Sequence, residues 1–80
     1  MQIPVIKKLI EQYTVEQLEA AENAFLSEKK PEIEIGGEDE GEQLTNVMAA
    51  VWIKEEMQKS EVDIKTALRA YTQKVRNSIS

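Results

Sequence analysis

Apolar residues recur with helical periodicity in four stretches of the chain. In the first stretch a proline precedes apolar positions at spacings of three and four, which predicts a helix from about Pro4 to Gln12. A capping-box pattern that opens at Thr14 predicts a second helix, which starts at Val15 and frays near Lys30. The apolar positions of these two helices are Val5, Ile6, Leu9, Ile10 and Tyr13 in the first and Leu18, Ala21, Phe25 and Leu26 in the second.

Two stretches in the second half of the chain show the same period. Acids cluster around Asp39, which can cap a third helix over about Glu40 to Lys59, and Asp63 can cap a fourth helix that starts at Ile64. Their predicted core positions are Leu44, Val47, Met48, Val51 and Trp52 in the third helix and Ile64, Ala67, Leu68, Tyr71, Val75 and Ile79 in the fourth. We therefore predict an all-α fold, a small bundle of about four helices.

The segment between the second and third predicted helices has a different pattern. From Pro31 to Ile35 polar and apolar residues alternate with period two, and two glycines follow. A single strand cannot stabilise itself, so the favoured interpretation is that Ile33 and Ile35 anchor a solvated connector onto the helices. Pairing of this segment with its mirror copy across a dimer is the alternative.

The third predicted helix also carries apolar residues outside its main stripe. Ile53 and Met57 lie one face round from that stripe, and something must cover this second face. The favoured interpretation is that the first and second helices wrap it. In the alternative, Ile53 and Met57 form an exposed strip that receives a protein partner or builds a homodimer.

Composition restricts the chemistry that the chain can perform. The 80 residues, 1–80, are too few for two domains. They contain neither cysteine nor histidine, which excludes disulfides, the usual zinc sites and the serine or cysteine triads. The carboxylate, lysine, tyrosine and hydroxyl chemistry that remains usually needs a deeper pocket than so short a chain encloses. We predict a protein that is not an enzyme and has no cofactor.

The sequence carries no signal for a membrane or for secretion. No apolar run approaches the roughly 18 residues that a membrane span requires. Two lysines follow the short apolar start, which is the reverse of the charge order in a secretory signal. We therefore expect a cytoplasmic protein without a membrane partner.

Charge is strongly segregated along the chain, whose net charge is −5. The segment Pro31–Glu42, termed the acidic connector, holds six acids and no base, whereas Ile64–Ser80 holds no acid. The bases of that last segment are Lys65, Arg69, Lys74 and Arg76. The acidic connector and the basic helix must either neutralise each other within the fold or present opposite fields to partners.

Three of these bases form a row on the fourth predicted helix. Lys65, Arg69 and Arg76 recur at spacings of four and seven, so they line one helix face together with Gln73. Such a row could bind RNA, DNA or an acidic partner. The net negative charge and the absence of aromatic residues within the row make nucleic acid the weaker alternative. Bases near a helix C-terminus also interact favourably with the helix dipole, which is a purely structural explanation.

The acidic connector is a candidate site for a divalent cation, because carboxylates are the hard oxygen ligands that calcium and magnesium prefer. The calcium-loop template does not fit it. With the invariant glycine placed at Gly37, Gln43 stands where the bidentate glutamate belongs. The favoured interpretation is a solvated loop whose later acids serve the N-terminus of the third helix.

Three blocks of the sequence carry a resemblance to a known family. With Pro4–Leu9, Gly41–Asn46 and Lys65–Leu68, the chain resembles a family of short, uncharacterised bacterial proteins of similar length. The resemblance implies a stand-alone cytosolic bacterial protein. It implies no activity and no site residue, since none is assigned to that family.

The leading hypothesis for the function is a non-catalytic interaction or adaptor protein. It would choose a protein partner, or a second copy of itself, through Ile53 and Met57 together with the charges of the acidic connector and the last helix. Nucleic-acid binding through Lys65, Arg69 and Arg76 and cation binding by the acidic connector are the alternatives.

Overall fold

The computed structural model describes residues 2–79 except for the side chain of Ile79, so this predicted core position lies outside the described side chains. Four α-helices follow one another in the described part of the chain, which contains no β-strand. They are α1 (Ile3–Gln12), α2 (Val15–Leu26), α3 (Glu40–Ser60) and α4 (Ile64–Ile79). The predicted all-α bundle is confirmed.

Helix α3 is the centre of the bundle, because α1, α2 and α4 all pack against it. Its buried side chains are Asn46, Val47, Ala49, Ala50, Val51 and Ile53. At 3.6 residues per turn these positions cover a broad arc of the helix that is centred near Ala50. A helix that packs against three neighbours must bury more than a single stripe of side chains.

The buried face of α3 differs from the predicted stripe. Met48, in the middle of that stripe, is 47% exposed, and Trp52 is only half-buried. Val47 and Val51 of the predicted stripe are buried as expected. The centre of the buried arc lies elsewhere because hydrophobic periodicity gives most weight to large apolar residues. The fully buried positions of α3 include Ala49, Ala50 and the polar Asn46.

Side-chain caps begin two of the helices where the sequence predicts them. The N–H of Thr14 donates to the Gln17 side chain at 2.9 Å, and the N–H of Gln17 donates to the Thr14 hydroxyl at 3.2 Å, which completes a capping box. At the start of α3 the Asp39 carboxylate accepts from the N–H of Glu42 at 2.8 Å. These contacts satisfy backbone donors that the first turn leaves without a helical partner.

Helix α2 ends at Leu26 and does not extend to the predicted end near Lys30. Glu28 adopts a left-handed conformation with φ of 58°. This turn lets the N–H of Lys29 donate to the carbonyl of Ala24 at 2.7 Å, as in a Schellman motif. Glycine is the usual residue in that position, so a glutamate gives no sequence signal for the end of the helix.

The acidic connector is anchored by its two isoleucines, as the favoured interpretation predicts. Ile35 is buried and Ile33 is half-buried against the core, while Glu32 and Glu34 between and beside them are exposed. The backbone also approaches α1 closely at Gly36, where an added Cβ would lie 2.9 Å from a methyl group of Val5. The connector is therefore held against the bundle while Glu32 and Glu34 remain exposed.

Asn46 is a fully buried polar residue that joins three parts of the chain. Its Oδ1 accepts from the N–H of Gln2 at 3.1 Å. Its Nδ2 donates to the Gln2 side-chain oxygen at 3.3 Å and to the carbonyl of Gly36 at 3.0 Å. These hydrogen bonds tie the start of α1 and the acidic connector to α3, and they satisfy the amide in an environment where an unpaired polar group is costly.

Lys54 makes the corresponding connection at the other end of α1. Its ammonium group donates to the carbonyl of Ile10 at 2.7 Å and to the carbonyl of Tyr13. The last turn of a helix leaves such carbonyls unpaired, and the helix dipole favours a positive charge there. A half-buried lysine on α3 thus caps the C-terminus of α1.

Candidate functional site

Helix α4 is docked on α3 by one side only. Among its described side chains Ala67 is fully buried, and five further apolar residues are half-buried. These are Ile64, Leu68, Ala70, Tyr71 and Val75. With α3 on the apolar side, the opposite face of α4 is left to solvent along its length.

An aromatic pair and a lysine lie at the edge of the contact between α3 and α4. The rings of Trp52 and Tyr71 are 5.5 Å apart between centroids and tilted by 51°. The Lys74 ammonium lies 5.1 Å from the centre of the Trp52 ring, within the range of a cation–π interaction. The sequence analysis did not identify this cluster, although the spacing of three between Tyr71 and Lys74 places both on one helix side.

The predicted row of bases lies on the exposed face of α4. Lys65, Arg69 and Arg76 are all exposed, as is Gln73 between them, and we term these four residues the basic row. From Lys65 to Arg76 the row extends over about 16 Å, given a helical rise of about 1.5 Å per residue. Lys74 lies outside it and packs over Trp52.

The rest of the chain carries a net negative charge. Residues 64–79 contain four bases and no acid, so residues 1–63 hold all 15 acids of the chain against six bases. The acidic connector lies along α1 and α2: Glu34 borders a groove with α1, and Glu32 borders a groove with α2. The two charged surfaces are therefore built on different helices, with α3 between α4 and the other two.

Asp63 fixes where α4 begins and hence where the basic row is presented. Its carboxylate accepts a hydrogen bond of 2.9 Å from the N–H of Thr66. Hydrogen bonds from the side chain and the backbone of Thr66 lower the pKa of Asp63 below its usual value, and the charge of Lys65 lowers it further. The predicted cap of the fourth helix is confirmed.

We expect Asp63→Ala to lower the melting temperature at neutral pH, and Asp63→Asn to lower it less because an amide oxygen can still cap the helix. Since the pKa of Asp63 is lowered on folding, the wild-type carboxylate stabilises the fold above the usual aspartate pKa of about 3.9. That stabilisation is lost as the pH falls through the lower pKa of the folded state. Thermal unfolding of the three proteins between neutral and strongly acidic pH measures it; a wild-type advantage over Asp63→Ala that persists unchanged in acid would contradict the assignment.

The two predicted apolar contact residues, Ile53 and Met57, differ in their burial. Ile53 is fully buried, as the favoured interpretation of a covered second face predicts, so the alternative in which it belongs to an exposed strip is wrong. Met57 is half-buried and stays partly accessible. It lines a groove of about 360 Å³ at the junction of three helices, together with Ile10, Glu11, Lys54, Gln58, Asp63 and Ile64.

Two further properties of the described residues concern metal binding and membrane insertion. Within the described residues, no three acidic side chains are grouped so that they could hold a metal ion. The Glu42 carboxylate accepts from the N–H of Glu38 at 3.3 Å, and Asp39 caps α3, so the later acids of the connector serve the helix N-terminus. Across residues 2–79 every helix is too short or too polar to span a bilayer.

Comparison with known proteins identifies a family of unknown function. A family model described as a family of unknown function, DUF6952, matches residues 1–80. No curated protein and no solved structure matches the chain. The predicted resemblance to an uncharacterised family is confirmed, while the bacterial origin and the cytoplasmic location stay predictions.

Proposed function

We propose that this chain, which belongs to the DUF6952 family, a family of unknown function, is a non-catalytic interaction protein whose basic row binds an acidic segment of a partner protein. The observation that carries this proposal is the exposure of Lys65, Arg69 and Arg76 on the face of α4 that is turned away from α3. A rigid helix presents these charges at fixed intervals, so they can recognise a partner without reorganising.

The chemistry of the row suits carboxylates. Arginine offers a planar group of donors that can bind a carboxylate through two parallel hydrogen bonds. Arg69 and Arg76 are two helical turns apart, about 10.5 Å along the axis. An acidic segment in extended conformation can cover such a distance with three or four residues. Charged contacts of this kind raise the association rate and determine which partner binds.

A protein partner is favoured over nucleic acid by the surroundings of the row. Single-stranded nucleic acids bind through bases that stack on exposed aromatic side chains. The aromatic residues nearest to the row are Trp52 and Tyr71, which are half-buried against each other, and Lys74 covers a face of Trp52. The net charge of −5 further disfavours a phosphate backbone as the main ligand.

The absence of both histidine and cysteine from the sequence supports a non-catalytic role. The surface of the groove beside Met57 is mainly apolar, with Glu11, Lys54 and Asp63 also among its lining residues. The ammonium group of Lys54 already caps α1, and the carboxylate of Asp63 caps α4. Such a groove suits a contact with another apolar group better than acid–base chemistry.

We expect the double reversal Arg69→Glu and Arg76→Glu to abolish partner binding. At about 1 kcal/mol for each charged contact, binding should weaken by a factor of about 30. The measurement is the recovery of proteins on the tagged wild type and variant from native lysate, with and without nuclease, followed by mass spectrometry. Lys7→Glu with Lys8→Glu is the matched control, because both lysines are exposed on α1.

The proposal requires a protein that is recovered after nuclease treatment with the wild type and the α1 control, and that is lost with the α4 variant. Recovery that disappears with nuclease would instead favour nucleic-acid binding. A partner that binds the α4 variant as well as the wild type would exclude the basic row as the binding surface.

A further inference from the structure

Two grooves lie on α4, and no acidic side chain is among the described residues that line them. The larger groove has a volume of about 630 Å³ and is termed the Lys74 groove; it is lined by Arg69, Ala70, Gln73, Lys74, Asn77 and Ser78. The smaller groove, of about 240 Å³, is lined by Leu68, Arg69, Thr72, Gln73 and Arg76. Arg69 and Gln73 border both grooves and therefore separate them.

The grooves described on the other helices differ from these two in charge. Each of three such grooves has at least one carboxylate among its lining residues: Glu16 and Glu32 beside α2, Glu34 beside α1, and Glu11 and Asp63 beside Met57. A carboxylate in the wall of a groove repels a bound anion. The two grooves on α4 are therefore the ones suited to a negatively charged ligand.

The Lys74 groove places three kinds of donor around a short side chain. Ala70 is half-buried and leaves a low place on the surface of the helix. Arg69 and Lys74 flank it, about 7.5 Å apart along the helix axis, and both have long, exposed side chains that can extend over it. Gln73 adds an amide to the same groove. One anion can thus accept hydrogen bonds from a guanidinium, an ammonium and an amide group.

We propose that the acidic segment bound by the basic row carries a phosphorylated side chain, and that its phosphoryl group binds in the Lys74 groove between Arg69 and Lys74. The inference rests on the proposed function, because it names the chemistry of the partner of the same surface. It also adds Lys74, which lies outside the basic row, to that surface. Further acids of the segment contact Arg76 in the smaller groove.

A phosphoryl group suits the donors of the Lys74 groove better than a carboxylate does. A carboxylate has two oxygens, which one arginine can satisfy through two parallel hydrogen bonds. A phosphorylated side chain carries a charge of about −1.5 to −2 near pH 7 and three acceptor oxygens, so it can bind all three donors at once. A single phosphoryl group needs only these local donors, whereas a nucleic-acid backbone needs a longer positive surface, which a net charge of −5 disfavours.

Trp52 provides a direct signal of binding in this groove. It is the single tryptophan of the chain, and the Lys74 ammonium lies 5.1 Å from the centre of its ring. A phosphoryl group that accepts a hydrogen bond from this ammonium competes with its cation–π contact. Binding should therefore change the fluorescence of Trp52.

Two short synthetic peptides of glycine and glutamate test the inference, one with a central phosphoserine and the other with glutamate in its place. Anisotropy of the dye-labelled peptides in about 100 mM salt measures their affinity. The wild type should bind the phosphorylated peptide about tenfold more tightly than the glutamate peptide. Titration with the unlabelled phosphorylated peptide should change the emission of Trp52.

Three variants assign the preference to Lys74. Lys74→Gln should bind the two peptides with equal affinity and show no change in Trp52 emission, whereas Lys74→Arg should keep the preference because the charge remains. Lys7→Gln is the matched control, since Lys7 is an exposed base on α1 outside both grooves, and it should behave like the wild type. Circular dichroism verifies that each variant keeps its helices.

Equal affinity of the wild type for the two peptides, or a preference that persists in Lys74→Gln, would overturn the inference. Inorganic phosphate should compete only at far higher concentration than the phosphorylated peptide; equally tight binding would indicate a site for the free ion and overturn it too. Binding to vesicles of phosphatidic acid and phosphatidylcholine, without binding to the phosphorylated peptide, would indicate a lipid surface instead.

These results are distinguishable from a failure of the proposed function. If the peptides bind with equal affinity but Arg69→Glu with Arg76→Glu still abolishes capture of a protein from lysate, the basic row binds an acidic segment that needs no phosphorylation.

Discussion

Replacing Ile53 by aspartate should unfold the protein. The Ile53 side chain is fully buried in α3, the helix on which the other three pack. The substitution removes about 2–3 kcal/mol of apolar burial and places a carboxylate where it has no partner and no water. A domain of this size is stabilised by roughly 3–5 kcal/mol, so the total loss exceeds the stability of the fold. Far-ultraviolet circular dichroism at 25 °C should show loss of most helical signal.

Two variants calibrate this result. Ile53→Val removes one methyl group and should cost about 0.5–1.5 kcal/mol, measured by urea denaturation. Met48 lies on the same helix but is 47% exposed. The substitution Met48→Asp should therefore leave the helical signal and the unfolding midpoint nearly unchanged. If the Ile53→Asp protein stayed folded and lost only self-association, Ile53 would be an interface residue and not a core residue.

Asn46→Leu should destabilise the protein by about 3 kcal/mol, although leucine is similar in volume and more apolar. The substitution removes the hydrogen bonds of the buried amide to Gln2 and to the carbonyl of Gly36. The backbone groups of those two residues are then left without a partner in a partly buried place, which costs more than the leucine contributes by its apolar surface. Urea denaturation measures the difference in free energy of unfolding.

The neighbouring Thr45 provides the control. Its hydroxyl donates to the carbonyl of Gly41 in the preceding turn at an exposed position, so Thr45→Ala should change stability by less than about 0.5 kcal/mol. Equal effects of the two substitutions would show that the Asn46 hydrogen bonds contribute little.

A third variant, Asn46→Asp, tests the same contacts by pH. A carboxylate at this position keeps the acceptor for the Gln2 N–H but faces the Gly36 carbonyl without a donor, so burial should raise its pKa on folding. Its stability relative to the wild type should therefore be highest in acid and fall as the pH rises above about 4 toward the raised pKa of the folded state. An unchanged difference between the two proteins across this range would contradict the role of the amide as a donor.

Residues that act locally could be predicted from the sequence. The capping box at Thr14 and the caps at Asp39 and Asp63 depend on side chains that bond to backbone groups three residues away. The period of the apolar residues likewise indicated four helices, and the exposed basic row follows from the spacing of bases along one helix. The acidic connector was recognised by its charge and its alternating isoleucines.

Contacts between distant residues could not be predicted in the same way. Asn46 and Lys54 are polar residues in a helical pattern, and their partners at the two ends of α1 lie more than 40 positions away in the sequence. The sequence placed the centre of the buried face of α3 on the wrong side, because alanine gives little periodic signal although Ala49 and Ala50 are fully buried. The end of α2 could not be predicted either, because the residue in the left-handed conformation there is Glu28 and not a glycine.

The sequence by itself therefore determined the helical class, the caps, the separation of charge and the exclusion of histidine and cysteine chemistry. These properties depend on composition and on neighbours within a turn or two of helix. Only the tertiary structure decided that Ile53 is core, that Asn46 holds the acidic connector, and that the connector lies on α1 and α2 while the basic row faces solvent on α4. Those outcomes depend on which helix faces pack together, and packing is decided by shape and hydrogen bonding between segments far apart in the chain.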